Sequence, residues 1–275
     1  MFYCSCNRKI EIMERFRCLA RIFLVLLTIS RLPSVQSSMT VAEKNRCEQY
    51  ISIFENDSTD LQYDYCENLF DGRGYTSGRA GFCTGTTDSL QVIQLFTSYQ
   101  SKNLLAKFLP ELERLAKHFS GDVSKLSGYC KAWKESAKSP LFRQCQDYIS
   151  DLLYYGPAMK EALRIGLTTA LGKCAFYDTI IQHGGGIDPD SFGAIVKKTE
   201  KVMNDKMDPN EYDWLLRFLM ERKKTLQNPH NKATASHWRD SVDRVNAMIG
   251  LLNQTNWFLT TPIHIKTRYH NLIIK

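Results

Sequence analysis

The chain has 275 residues, of which 43% are hydrophobic and 24% charged, and its formal net charge is +7. Six of the 36 basic residues and two of the 29 acidic residues lie before residue 38, so the remainder carries a net charge of only +3. This balance argues against a nucleic-acid-binding protein, which usually has a strong basic excess. The remainder is long enough for one large domain, or for two lobes that share a cleft.

The chain opens with a targeting segment. Arginines precede an apolar run over residues 22–29, which is too short for a membrane span of about 20 apolar residues. Small residues before position 38 fit the cleavage site of a secretory signal peptide. We therefore predict a signal peptide over 1–37, a mature domain over 38–275 and secretion to the extracellular space, with no membrane contact after cleavage. Twelve residues before Met13 are unusual in such a leader, so Met13 is an alternative start.

Six cysteines follow the leader, and an even number in a secreted chain fits disulfide bonds. They are Cys47, Cys66, Cys83, Cys130, Cys145 and Cys174. Fifteen pairings are possible, and Cys83 could equally be a buried free thiol. No CxxC pair occurs, so we expect no structural zinc. No phosphate-binding loop or other cofactor motif is visible, and we expect neither a metal nor a cofactor.

Hydrophobic spacing predicts a mostly helical domain, beginning with a helix over 41–55. Five glycines between residues 71 and 86 exclude a helix there, because each Gly costs about 1 kcal/mol relative to Ala. Residues 62–86 suit short twisted strands instead. Further helices are predicted over 103–118, with a kink or break at Pro110, and over 140–155, 157–182, 190–205, 209–227 and 236–253. The pattern indicates an α+β fold, mostly helical and lysozyme-like, with a small β-hairpin element.

Two carboxylates are placed where they could flank a groove. Glu55 ends the first helix beside Phe54, where partial desolvation would keep it protonated. Asp71 lies in the glycine-rich segment, where bare backbone lets a sugar or a water come close. Two such carboxyl groups are the minimum requirement for hydrolysing a glycosidic bond. Taken singly, a helix-end Glu is more often solvated, and a turn Asp more often bonds its own backbone.

Arg73 and Thr76 follow Asp71 closely. The Arg73 guanidinium is near enough in sequence to hold Asp71 ionised, and the Thr76 hydroxyl could orient an attacking water.

Six short segments occur along the chain in an order and spacing that are specific when taken together. They are EN at 55–56, DGRGYT at 71–76, GFCTGTTD at 81–88, AKFLP at 106–110, YD and HG within 177–184, and DPDSFG at 188–193. Together they resemble the chitosanases of glycoside hydrolase family 46, over nearly all of the chain beyond residue 43. The resemblance implies a lysozyme-like fold with two lobes around a substrate cleft.

The resemblance also implies a chemistry. Glu55 would be the general acid, Asp71 the general base and Thr76 the residue that positions water. The anomeric configuration would invert, which requires carboxyl groups about 6.5–9.5 Å apart. The implied activity is endo-hydrolysis of β-1,4 links between the glucosamine units of chitosan.

Chitosan is cationic, so acidic residues should line its cleft. Asp88 matches a substrate-binding aspartate of the family, although it could also simply complement the dipole at a helix N-terminus. Glu67 is a second candidate, and Arg73 would assist binding beside Asp71. We expect chitosan as the partner, no nucleic acid, and a monomer.

Asp178 is predicted on an apolar core helix, where a carboxylate should be buried and paired. Arg222 and Arg239 are the expected partners. The resemblance implies that such a network supports the active site, whereas a purely structural salt bridge is the alternative.

Two other functions remain open at this stage. One is a lysozyme-like hydrolase of chitin or peptidoglycan, and the other is a catalytically silent carbohydrate-binding protein.

Overall fold

The computed structural model describes residues 38–186, 188–204, 210–230, 232 and 235–275. The predicted signal peptide lies outside these residues. Within them, no helix has both the length and the apolar character needed to cross a bilayer.

The described chain is mostly α-helical, which confirms the predicted fold class. Helices α1 to α11 are Val41–Asn56, Asp88–Tyr99, Leu109–His118, Tyr129–Ser136, Pro140–Ser150, Gly156–Ile165, Ala170–His183, Phe192–Met203, Glu211–Gln227, Ala235–Asp240 and Val242–Asn253. A 3-10 turn, Ala106–Phe108, precedes α3, and a π-helical turn, Asp151–Tyr155, joins α5 to α6. Strands β1 to β5 are Cys66–Asn68, Tyr75–Ser77, Phe82–Cys83, Ile263–Lys266 and Asn271–Ile274.

Two small antiparallel sheets accompany the helices. The first has the order β1-β2-β3, and its register places Thr76 opposite both Glu67 and Cys83. Residues directly opposite each other share one face of a sheet, so these three side chains belong to the same face. The second sheet is the hairpin β4-β5, which the sequence analysis missed. Its strands are only four residues long, and β5 breaks the alternation of apolar and polar residues.

Helix boundaries follow local capping residues. Thr40 and Glu43 form a reciprocal capping box that begins α1. The break predicted at Pro110 is present, because the 3-10 turn ends where α3 begins. The single helix predicted over 157–182 is wrong: Gly166 adopts a left-handed conformation (φ +85°) that ends α6, and Thr169 caps the start of α7.

The apolar residues form two separate cores, which define two lobes. The large lobe comprises α1, α6 to α9, α11, β4 and β5, packed around the buried helix α7. The small lobe comprises β1 to β3 and α2 to α5. We assign α10 to the large lobe because it packs on α9.

Each lobe contains one disulfide bond. Cys47 on α1 is bonded to Cys174 on α7 in the large lobe, and Cys66 on β1 is bonded to Cys130 on α4 in the small lobe. Cys83 and Cys145 are buried free thiols. Of the two states considered for Cys83, the free thiol is therefore correct.

Candidate active site

A groove of about 420 Å³ is lined by side chains from both lobes. The small lobe contributes Leu69, Arg73 and Thr76. The large lobe contributes the end of α1, the end of α7, the segment from α10 to α11 and the turn between β4 and β5. The lining from the large lobe includes Glu55, Gln182, Asp240, Asp243, Arg244, Tyr269 and His270.

A larger hollow of about 610 Å³ lies on the small lobe. Four basic side chains line it, Lys131, Lys134, Lys138 and Arg143, against two acidic ones. None of the predicted catalytic, substrate-binding or supporting residues belongs to its lining, so size does not identify the site. The smaller groove is the candidate because it brings several of the predicted residues together.

Glu55 lies in the last turn of α1, which ends at the left-handed residue Asp57. The Glu55 side chain is 38% exposed, and its carboxylate accepts a hydrogen bond of 2.5 Å from Nη1 of Arg244. The Phe54 ring packs against Tyr50 and His270 and lines the groove together with Glu55. The position of Glu55 is therefore set mainly by a charge-assisted hydrogen bond.

Asp71 lies on the loop between β1 and β2, and its side chain is 32% exposed. Arg73 donates three hydrogen bonds to it, from the backbone N–H to Oδ1 at 3.0 Å and from Nε and Nη2 to Oδ2 at 2.9 and 2.7 Å. Partial burial alone would raise the pKa of the Asp71 carboxyl, but the hydrogen bonds from Arg73 outweigh it, and the pKa lies below its ordinary value. Asp71 is not itself on the groove wall, whereas Leu69 and Arg73 on either side of it are.

Thr76 is a buried residue of β2 at the floor of the groove. Its hydroxyl lies 3.6 Å from the sulfur of Cys83 across the sheet. Glu67 shares the same sheet face but is exposed, accepts a hydrogen bond from the Tyr65 hydroxyl at 3.2 Å, and lines a neighbouring hollow rather than the groove.

Asp88 is the first residue of α2 and is not among the groove-lining residues. Its carboxylate accepts hydrogen bonds from the backbone N–H groups of Cys83 at 3.1 Å and Ser89 at 2.9 Å, and from the hydroxyls of Thr86 and Tyr154. Burial raises the pKa of Asp88, although these hydrogen bonds oppose it. The contacts tie β3 to the start of α2, so a structural role is evident, and the substrate-binding role stays a prediction.

Asp178 is fully buried on α7 between two arginines. Nη1 of Arg222 lies 2.5 Å from Oδ2, and Nε of Arg244 lies 2.6 Å from Oδ1. Burial alone would raise the pKa of Asp178, but the two guanidinium groups outweigh it, and the pKa is lowered. Because Arg244 also holds Glu55, one buried carboxylate is linked to the candidate acid through a single arginine.

The expectation that Arg239 pairs with Asp178 is wrong. The helix predicted over 236–253 is interrupted at Ser241, which leaves Arg239 exposed on α10. Arg244 belongs to α11 and lies on the face that packs into the core. A signal for it was present in the sequence, since Arg244 is in helical register with apolar residues at 248, 251 and 252.

The second wall of the groove was not predicted from the sequence. Asp240 and Asp243 add carboxylates there, and Tyr269 and His270 come from the unpredicted hairpin. Nδ1 of His270 lies 2.9 Å from Oδ1 of Asp57, which ties this hairpin to the end of α1. No local motif marks these residues, because only the packing of α11 and β4-β5 brings them to Glu55.

Metal binding is not suggested by the site. Among the residues that the structure describes, no group of three His, Cys, Asp or Glu side chains is arranged to hold a metal ion.

The sequence matches the profile of glycosyl hydrolase family 46 over residues 49–263. It is 48% identical over 236 residues to a chitosanase from Bacillus subtilis (strain 168), covering 85% of each chain.

Two solved structures extend the similarity to the fold. One is a mutant chitosanase from Bacillus subtilis MY002 complexed with 6 GlcN, with a TM-score of 0.81, 46% identity, and coverage of 86% of this chain and 100% of that one. The other is a family 46 chitosanase from Gynuella sunshinyii in complex with chitotetraose, with a TM-score of 0.81, 40% identity, and coverage of 86% and 99%.

Proposed function

The chain belongs to glycosyl hydrolase family 46 and is a glycoside hydrolase, and on that premise we propose that it is a secreted endo-chitosanase. It hydrolyses β-1,4 links between glucosamine units with inversion of configuration. The observation that carries this proposal is that Glu55, Thr76 and Arg73 line the same groove, and that Arg73 is hydrogen-bonded to Asp71.

In the proposed mechanism, Glu55 donates its proton to the oxygen of the departing sugar. Asp71, kept ionised by Arg73, removes a proton from the attacking water, and Thr76 orients that water. The water enters on the face of the sugar opposite the leaving group, so the configuration inverts. The two carboxyl groups have different environments: Glu55 forms a salt bridge with a buried arginine, whereas Asp71 forms one with a solvated arginine.

The substrate follows from the charge of the groove. Asp240 and Asp243 line it with carboxylates, in addition to the proposed acid Glu55. The positive charge of the lining arginines is offset by acidic neighbours, because Arg73 is paired with Asp71 and Arg244 contacts Asp178 and Glu55. Such a surface suits a cationic polymer. The relatives crystallised with 6 GlcN and with chitotetraose support the same substrate class.

The direct test is the pair Asp71→Asn and Glu55→Gln, assayed for reducing ends released from fully deacetylated chitosan. We expect losses of about 10²–10⁴-fold, the usual contribution of general acid–base catalysis. Circular dichroism should show both variants folded. Anomeric NMR on a glucosamine hexamer should show the inverted product first. Undiminished turnover by Asp71→Asn would refute the assignment of the base.

Parallel assays separate the other two functions. Faster cleavage of chitin or peptidoglycan than of chitosan would make the protein a lysozyme-like hydrolase. Binding of chitosan without cleavage by the unmodified chain would make it a carbohydrate-binding protein.

We also propose secretion as a monomer. The predicted leader and the two disulfide bonds both fit an oxidising compartment. N-terminal sequencing of protein recovered from the medium should begin at Ser38, and light scattering should give the mass of a single chain.

A further inference from the structure

Two phenylalanines of the described chain combine an exposed ring with a left-handed backbone. Phe70 has φ +55° and is 89% exposed, and Phe119 has φ +48° and is 78% exposed. This backbone costs free energy for any residue with a Cβ atom, and a ring left in water recovers none of that cost through burial. Each position therefore calls for a separate explanation.

Phe119 is explained by helix termination. It is the left-handed C-cap of α3, and its N–H donates to the carbonyl of Ala116 at 3.4 Å while Ser120 donates to Leu115 at 3.0 Å. A left-handed residue at this point satisfies the last carbonyls of a helix.

Phe70 ends no helix. It lies in the loop between β1 and β2, where its N–H donates to Oδ1 of Asn68 at 2.9 Å. Glycine would adopt this backbone without strain, so the turn itself gives no reason for an aromatic ring. Strained residues that a fold retains are concentrated at functional sites.

Phe70 is not one of the groove-lining residues, but it adjoins one of them in the sequence. Leu69, on one side, lines the groove and is itself exposed. Asp71, on the other side, is fixed by three hydrogen bonds from Arg73. Phe70 thus lies in the sequence between a groove-lining residue and the proposed base, on a loop whose following residues are held in place.

We propose, on the basis of the proposed function, that Phe70 contacts the substrate and covers the glucosamine unit on the Asp71 side of the scissile bond. The C–H face of a pyranose ring is apolar and loses water against an aromatic ring. The protonated amine at C2 is attracted to the electron-rich face of the same ring. The ring is exposed in the free enzyme because its packing partner is the sugar.

The test uses Phe70→Gly with Phe119→Gly as a matched control, since both changes remove an exposed ring and relieve the same strain. We expect each to raise Tm by about 2–4 °C. Phe70→Gly should raise KM for a glucosamine hexamer about tenfold and change kcat less than about twofold. Phe119→Gly should leave both constants unchanged, and Phe70→Trp should keep KM within about twofold of the unmodified chain.

A binding measurement gives independent evidence. In an Asp71→Asn background, Phe70→Trp should change its fluorescence when the hexamer is added, and Phe119→Trp should not. An unchanged KM in Phe70→Gly would overturn the inference. So would a loss confined to kcat, which would mean that Phe70 only shapes the loop. In either case, cleavage of chitosan by the unmodified chain would leave the proposed function intact.

Discussion

The two sides of the groove hold their carboxylates by the same chemistry in opposite surroundings. On the large lobe, Glu55 is tied through Arg244 to the fully buried Asp178. On the small lobe, Asp71 is tied to Arg73 within a solvated loop. Breaking a buried pair leaves an uncompensated charge in the interior, whereas an exposed pair contributes little to stability. Hydrogen-bond length alone therefore does not tell which arginine the fold depends on.

The largest expected effect comes from Asp178→Asn. This change leaves Arg222 and Arg244 without a buried counter-charge, and we expect a loss of about 3–5 kcal/mol in the free energy of unfolding. Urea denaturation gives the loss, and the hexamer assay should show reduced turnover as well, because Arg244 loses its anchor. Arg239→Ala is the matched control, since Arg239 is exposed, and should change stability by less than about 0.5 kcal/mol. Equal urea midpoints for Asp178→Asn and Arg239→Ala would contradict the proposal that stability depends on the buried charge network.

A second prediction concerns pH and the same side of the groove. His183 at the end of α7 is buried, and its Nδ1 lies 2.8 Å from the carbonyl oxygen of Asp190. Burial lowers the pKa of His183 to about 3, and the positive charge of Arg222 acts in the same direction. Below its ordinary pKa of 6.5 the unfolded chain binds a proton that the folded chain does not bind until about pH 3. Stability should therefore fall as pH falls through this window, by roughly 3–5 kcal/mol from this group.

His183→Asn removes this titration while keeping a polar side chain at the same position. The slope of unfolding free energy against pH should become shallower in the variant between pH 6.5 and pH 4, with acidic residues contributing equally to both proteins. Identical slopes would show that the buried imidazole does not control acid stability.

A much smaller effect on stability than that of Asp178→Asn is expected from Arg73→Gln on the other side of the groove. Because its pair with Asp71 is exposed, stability should change by less than about 1 kcal/mol. The two hydrogen bonds from the Arg73 side chain, which help to lower the pKa of Asp71, would be lost, so this pKa should rise. A general base must be ionised, and the acidic limb of the kcat/KM profile should therefore move to higher pH. A large drop in the Tm of Arg73→Gln without a shift of the acidic limb would indicate that Arg73 has a structural role instead.

The sequence predicted some parts of this architecture and not others, for physical reasons. The glycine-rich strands and the buried position of Asp178 follow from local composition, which acts over a few residues. The partner of Asp178 depends on where α10 ends, and the interruption at Ser241 has no glycine or proline to mark it. The disulfide pairing and the hairpin β4-β5 depend on contacts between residues far apart in the chain, which spacing does not encode.

The position of Asp88 shows the same limit. Its place at the start of a helix was expected from sequence, because a threonine and an acidic residue precede an apolar run. The hydrogen bond that its carboxylate accepts from the Tyr154 hydroxyl joins α2 to the π-helical turn, 66 residues along the chain.

The ion pair between Glu55 and Arg244 joins residues separated by 189 positions, and the contact of His270 with Asp57 spans 213. During synthesis, the helix that carries Glu55 is therefore made long before its arginine and histidine partners. A nascent polypeptide can thus build most of the small lobe while the acid is still unsupported. The groove is complete only after the segments that carry Arg244 and His270 have folded onto α1.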